Sequence, residues 1–216
     1  NYLSITEGDM KGVKVVSGCK KILFSVGIKA EKFAPVSAEQ QMMLKQKYGF
    51  DPSKPLVIHV GHCSKGRGLE DFAKIHTAQR MVVASGMFED ENVIRILNEA
   101  RVKIHKGYLE NVEEVYQMAD AYLFPTRSAE FVISIPLSVM EALSCGVPVI
   151  GYKSFENLNE ITGSEGAITL VDNAEQLDKV LPEVIKKKSD HSLLEKTGSW
   201  YEVSQSVIRM VREENS

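Results

Sequence analysis

From about Lys54 onward the chain alternates short apolar runs with amphipathic stretches, and Gly, Asp, Asn or Pro separates the members of each pair. The runs are Leu56–Val60, Met81–Ala84, Val102–His105, Ala121–Phe124 and Val147–Ile150, with a weaker one at Ala167–Val171. Runs of this length suit strands, and β-branched residues in series suit strands covered on both faces. Between them, Val93, Ile94 and Leu97 give Glu91–Ala100 one apolar face, and Val112, Val115 and Ala119 do the same for Val112–Ala119, as amphipathic helices require. Strand–helix repeats joined by right-handed crossovers place helices on both faces of a parallel sheet, so the predicted fold class is α/β, doubly wound. Ligands of such sheets bind beyond the carboxyl ends of the strands, which directs attention to the loops after Val60, Ser85, His105, Phe124 and Ile150.

The flanks are less regular. Ile22–Val26 reads as a strand and Ala38–Lys47 as a helix, while Trp200, Val203, Val207 and Met210 in Ser199–Glu214 form an apolar stripe that needs a partner surface. Lys and Arg number 26 against 29 Asp and Glu, a net charge of −3 with no long block of either sign, which argues against nucleic acid as a partner. Cys19, Cys63 and Cys145 are odd in number and widely spaced, so neither a disulfide framework nor a CxxC metal pair follows. The apolar runs fall well short of the about 20 residues that a membrane span needs. Asn1–Asp9 lacks the basic start and apolar centre of a secretory signal, so the expected location is cytoplasmic.

Two segments carry candidate chemistry. The first is the loop Gly61–Gly68, which leaves a predicted strand and opens onto a predicted helix, Leu69–His76. Its three glycines allow close backbone approach, Lys65 and Arg67 supply charge for a phosphate, and His62 can donate to a phosphate or sugar oxygen. It is neither a Walker A loop nor a GxGxxG fingerprint, and the plainer alternative is a turn with solvated cations. The second is Ser134–Ile150, a helix with Ser134 as its cap, Pro136 in its first turn, and Gly146 and Pro148 as its stop. Ile135, Val139, Ala142 and Leu143 make its buried stripe; Ser134, Ser138, Glu141 and Cys145 make a polar row beside it. Two readings of Glu141 stand open: a carboxylate accepting both hydroxyls of a ribose, or half of an S-x-x-E capping box with Ser138. Glu130 and Arg127 lie in the loop over the crevice, where lone charged residues are commonly just solvated, and His59 and His105 fall within strands and read as core or edge residues.

The ordered series of segments resembles the carboxyl-terminal, donor-binding domain of a retaining GT-B glycosyltransferase of the family-4, or group 1, type. Ser25–Pro35 resembles the family's "NG(V/I)D…F.P" segment, Val60–Gly68 its "VGR…KG" loop, Lys106–Tyr108 its "F.G.v" turn and Ala119–Thr126 its "ADv.v.PS" strand. Pro136–Ile150 resembles "PLSVLEAMACGxPVI", the most specific match, and Trp200 resembles the tryptophan that opens the final helix. The resemblance implies a Rossmann-like domain over 37–197, preceded by an interdomain segment with the first strand over 1–36 and followed by an amphipathic helix over 198–216. It implies that Glu141 binds the donor ribose, that Arg67, Lys65 and His62 serve the diphosphate with Gly61 permitting its approach, and that the amides of Leu137 and Ser138 hold the distal phosphate. Gly107, Tyr108 and Leu109 would flank the base. Counting an E-x7-E spacing back from Glu141 lands on Ile133, so Glu130 is the nearest substitute for the first glutamate and, with His62, the candidate catalytic residue. The implied donor is a nucleotide-diphospho-sugar, with no metal or other cofactor. The remaining partner is an amino-terminal acceptor domain outside this chain, through which any peripheral membrane contact would come. A sugar-nucleotide epimerase domain and a non-catalytic nucleotide-binding module are the rival readings.

Overall fold

The computed structural model describes residues 2–4, 21–23, 26–29, 31–85, 89–161, 166–187 and 199–213. In chain order the elements are β1 (Tyr2–Ser4), β2 (Lys21–Leu23), α1 (Ala38–Lys47), β3 (Leu56–Gly61), β4 (Gln79–Ala84), α2 (Glu91–Glu99), β5 (Lys103–Lys106), α3 (Val112–Gln117), β6 (Ala121–Leu123), α4 (Leu137–Ser144), β7 (Val149–Tyr152), β8 (Ile168–Val171), α5 (Leu177–Ile185) and α6 (Trp200–Glu213). Strands β1 and β2 pair with each other in parallel. The other six form one sheet in the order β5-β4-β3-β6-β7-β8, every described pairing parallel. This is the doubly wound class expected from the alternation, with a Rossmann-like order whose direction of winding reverses between β3 and β6.

Strand alternation divides the core into two layers. Leu56, Ile58, Tyr122, Phe124 and Val149 turn to one face, where they meet Val115 and Tyr116 of α3 and Val139, Ala142 and Leu143 of α4. Val57, Ala121, Leu123, Ile150 and Tyr152 turn to the other, against Leu97 of α2 and Leu177, Leu181 and Val184 of α5. Val26, Ile28 and Phe33 extend the first layer, and Phe33 meets Tyr116 edge-on with ring centroids 5.7 Å apart.

The helix expected over Leu69–His76 is a 3-10 helix, Leu69–Lys74. Leu69, Phe72 and Ile75 are fully buried and recur every third residue, the 3-10 period, so a tighter coil buries all three on one line. The predicted strand end at Phe24 and Ser25, the thiol of Cys19 and the loop tip at 86–88 lie outside the described residues. Helix α6 finds a partner surface: Val203 is buried, and a Cβ on Gly27 would stand 2.6 Å from the Trp200 backbone. The Met210 side chain lies outside the described residues.

At the amino-terminal edge of the sheet, Asp120 fastens α1 to the strands. Its Oδ2 accepts from Lys45 Nζ at 2.6 Å and from the Leu56 N–H at 2.7 Å, and its Oδ1 accepts from Gln41 Nε2 at 3.1 Å. Lys45 also donates to the Lys54 carbonyl at 3.1 Å.

Candidate functional site

The winding reverses between β3 and β6, so the loops leaving their carboxyl ends diverge and leave a crevice. The glycine loop Gly61–Gly68 forms one wall. Gly68 has φ +74, and a Cβ there would lie 2.4 Å from the Pro125 carbonyl oxygen, so glycine alone lets this loop press against the exit of β6. Arg127 reinforces that junction. Its Nη2 donates to Asp71 Oδ2 at 2.6 Å, the Tyr152 hydroxyl donates to the same oxygen at 2.6 Å, and the guanidinium sits 4.0 Å from the Tyr152 ring centroid. Arg127 therefore fastens its loop to the 3-10 helix and β7, contrary to the solvated reading of a lone loop cation.

Helix α4 forms the opposite wall, and it begins later than expected. Ser134 does not cap it: Leu137 is its first residue and Pro136 its N-cap, with ψ 119. A proline ring disfavours helical geometry in the preceding residue, so Ile135 and Ser134 stay outside the helix. Ser138 thereby falls inside the first turn, where it is no N-cap, and no side-chain cap hydrogen bond is made. Glu141 instead turns sideways, and its Oε2 accepts from the Tyr116 hydroxyl at 2.7 Å. Burial raises the Glu141 pKa; the Tyr116 hydrogen bond and the nearby Lys32 charge oppose that rise in part.

Two recesses flank the first turn of α4. A cleft of about 570 Å³ is lined by Gly61, His62, Arg67, Glu130, Phe131, Ile133, Leu137 and Ser138, among others. That volume lies within the roughly 300–1,000 Å³ of typical small-molecule sites. A second recess, of about 230 Å³, is lined by Lys29, Lys32, Phe33, Leu137, Glu141 and Trp200 together with Gly27 and Ile28. Leu137 borders both.

The structure thus brings Gly61, His62, Arg67, Glu130, Leu137 and Ser138 to one cleft, with Glu141 in the adjoining recess. Glu130 and Ile133, the two claimants to the first glutamate position, both line the cleft. Lys65 is exposed and lines neither recess. Gly107, Tyr108 and Leu109 stand apart as well: the Gly107 N–H closes β5 onto the Ala84 carbonyl, Tyr108 is 88% exposed, and Leu109 packs on the core. Nothing lies within 4 Å of the Cβ position on Gly107, so space stays open over that turn.

Three residues with a part in the cleft give little sign of it in the sequence. Tyr116 sits on the buried face of α3 and nothing in its spacing announces the bond to Glu141. Phe131 lays its ring on Gly66, and its carbonyl accepts from Arg67 Nη1 at 2.6 Å. His59 is fully buried, as expected of a strand histidine, yet lies directly beneath Gly61: a Cβ there would stand 2.8 Å from His59 Nε2 and 3.1 Å from Arg67 Nη2. Among the described residues no cluster of three or more His, Cys, Asp or Glu side chains is placed to hold a metal ion, and no helix is long and apolar enough to cross a membrane.

Comparison with known proteins identifies the fold and the family. The chain is 28% identical over 138 residues to the sulfoquinovosyl transferase SQD2 of Arabidopsis thaliana, covering 61% of this chain and 26% of that protein. It is 30% identical over 118 residues to the N-acetyl-alpha-D-glucosaminyl L-malate synthase of Bacillus anthracis, covering 50% of this chain and 30% of that protein. Among solved structures, HepE of Anabaena in complex with UDP-glucose superposes with a TM-score of 0.72 at 15% identity, over 89% of this chain and 57% of its own. Sucrose-phosphate synthase of Thermosynechococcus elongatus superposes with a TM-score of 0.70 at 18% identity, over 90% of this chain and 52% of its own. The chain therefore spans under a third of these curated relatives and about half of these structures, and its fold is one Rossmann-like half of a GT-B fold. Residues 55–187, more than half of the chain, match the family Glycosyl transferases group 1. The chain belongs to the group 1 glycosyl transferases.

Proposed function

We propose that this chain is the donor-binding half of a retaining glycosyltransferase, holding a nucleotide-diphospho-sugar while the sugar passes to an acceptor presented by a separate amino-terminal domain. The observation that carries the reading is the pair of recesses meeting at Leu137: a half-buried carboxylate, Glu141, in one, and the glycine loop with Arg67 and His62 in the other. Glu141 takes the ribose hydroxyls, and the diphosphate lies between Arg67, His62 and the first amides of α4, with Gly61 allowing it close. Gly107, Tyr108 and Leu109, on the open turn after β5, flank the base.

In the transfer, the bond from the anomeric carbon to the β-phosphate oxygen breaks, the acceptor hydroxyl oxygen bonds to that carbon from the same face and gives its proton to the departing phosphate oxygen, and negative charge collects on the diphosphate as it leaves. Fixed cations and helix amides aimed at that charge favour the transition state over the bound donor. Glu130 reaches the sugar side of the cleft and His62 the phosphate side. Turnover needs the acceptor domain, so the isolated chain binds donor and transfers little. The binding of UDP-glucose by HepE, a protein of the same fold, is consistent with a donor of this class. Ile133 at the spacing where the first glutamate belongs favours one rival, a nucleotide-binding module without catalysis. Calorimetric titration of the chain with UDP, GDP, ADP and their sugars tests the reading: one nucleotide should bind in the micromolar range, and no binding of any at millimolar concentration overturns it. If nucleotide binds, assay of the chain joined to an acceptor domain separates transferase from silent module.

A further inference from the structure

His59 is held at Nδ1 and on one ring face, and is fully buried. Its Nδ1 lies 3.0 Å from the Leu123 carbonyl oxygen, which can only accept, so Nδ1 carries the proton. Tyr122 stacks on the ring with centroids 5.6 Å apart, and the Tyr122 hydroxyl is itself anchored to the Val60 carbonyl at 3.1 Å. Burial first, and then the Arg67 charge, push the pKa down to about 3, so the ring is neutral at any pH near neutrality. A neutral imidazole protonated on Nδ1 presents Nε2 as a bare lone pair. That Nε2 is buried and has no hydrogen-bond partner.

Nε2 shares a space with the Arg67 side chain. Across the empty space on Gly61, Nε2 and Arg67 Nη2 stand 2.8 and 3.1 Å from the same vacant Cβ position. The Arg67 Nε is also buried without a partner, while Nη1 is engaged by the Phe131 carbonyl. An acceptor without a donor and a guanidinium with unspent N–H capacity thus border the same space, which the missing side chain of Gly61 leaves unfilled.

We propose that His59 is a positioning residue: when a diphosphate occupies the cleft, His59 Nε2 accepts a hydrogen bond from the Arg67 guanidinium and fixes the plane in which Arg67 presents its other N–H groups to the phosphate oxygens. The inference rests on the donor-site reading of the cleft. Phosphate oxygens then replace the Phe131 carbonyl as the acceptor for Nη1. Because the imidazole stays uncharged, it orients the cation without repelling it.

The test is a double-mutant cycle read by calorimetry with whichever of UDP, GDP or ADP binds tightest and with its matching nucleoside. His59→Phe keeps a ring and removes the acceptor; His59→Gln returns one. His59→Phe should weaken the nucleoside diphosphate by about tenfold or more, in line with a hydrogen bond to a charged group, and leave the nucleoside unchanged. His59→Gln should recover most of that loss, and His59→Phe should add nothing once Arg67→Ala is present. Equal weakening of diphosphate and nucleoside, persistence of the effect without Arg67, or unchanged diphosphate affinity overturns the inference while leaving the donor reading standing. If the unaltered chain binds no nucleotide, the donor reading falls and this inference falls with it. Should His59→Phe fail to fold, ¹⁵N spectra of the unaltered chain decide: the bare Nε2 resonance should move upfield as diphosphate saturates the site, and a resonance that stays put overturns the inference.

Discussion

The two ends of the sheet use buried polar groups in opposite ways. At the floor, both oxygens of Asp120 and the ammonium of Lys45 are met by Gln41, the Leu56 N–H and the Lys54 carbonyl, and the cluster closes on itself. At the mouth, His59 Nε2 and Arg67 Nε are buried with no partner, and Phe131, Ile133 and Leu137 leave 41%, 54% and 36% of their surface exposed. Buried polar atoms are ordinarily paired, and an unpaired one costs about 1–3 kcal/mol. The floor is a fastening that is finished within the chain. The mouth leaves polar atoms and apolar surface unmet, as the proposed donor site requires.

The floor gives the largest expected effect. Asp120→Ala strands Lys45, whose side chain is 5% exposed, as an unpaired buried cation. Breaking a buried pair on one side destabilises by about 3–5 kcal/mol, so urea unfolding should shift by that amount while nucleotide affinity of the folded fraction is unchanged. A neutral Asp120→Ala would break the contrast, because the floor would then be as unfinished as the mouth.

Gly68→Ala comes next, and it couples the two ideas. The left-handed φ of +74 and the Pro125 oxygen 2.4 Å from the new Cβ combine strain with a backbone clash. Together these should cost about 2–4 kcal/mol, and the displaced glycine loop should weaken nucleotide binding as well. Stability loss without affinity loss would show that the junction at Pro125 holds the fold and does not hold the site.

Glu141→Gln separates binding from stability. The amide keeps an acceptor for Tyr116 but loses the charge, so nucleotide affinity should fall by about 1–3 kcal/mol. Stability should move the other way. Burial raises the folded-state pKa of Glu141, so the native chain holds the proton more tightly than the unfolded one. Stability is then fully present below the unfolded value of about 4.3 and declines as pH rises toward the raised folded pKa. Glutamine does not ionise, so the urea midpoint of Glu141→Gln should gain on the unaltered chain over that rise. A variant less stable at every pH, with affinity intact, would assign Glu141 to the fold alone.

The parallel, doubly wound class was legible because alternating apolar runs and single-faced helices leave few ways to close a sheet, and helix α1 matches its predicted bounds of Ala38–Lys47. The order of the strands was not, since it depends on which runs pair in space. The departures have local causes. The 3-10 helix at Leu69 follows from a three-residue apolar period that an α-helical reading smooths over, and the late start of α4 follows from Pro136 acting on Ile135. The glycine loop and the Ser138–Glu141 part of the α4 row were visible because glycine, charge and helical spacing are local signals, whereas Ser134 falls outside the helix and Cys145 is buried in the core. Tyr116 on Glu141 and His59 beneath Arg67 were not, since each joins residues on different elements and depends on where the backbone leaves room. Arg127 was hidden for the same reason: its partner Asp71 lies across the junction, on the 3-10 helix.

Phe131→Ala is the smallest expected change and tests how the mouth is covered. The ring lies over Gly66, where a Cβ would meet it at 2.5 Å, but Phe131 is 41% exposed. Removing it should cost under about 1 kcal/mol of stability. The carbonyl that takes Arg67 Nη1 belongs to the backbone and survives the substitution. Nucleotide affinity should therefore change by no more than about threefold, equivalent to under about 0.7 kcal/mol, and rise if the ring must swing off Gly66 to admit the diphosphate. A loss as large as that of Glu141→Gln would mean that the ring itself touches the donor. The exposed apolar rim would then be part of the binding surface, and the contrast with the floor would rest on unmet polar groups and apolar contacts alike.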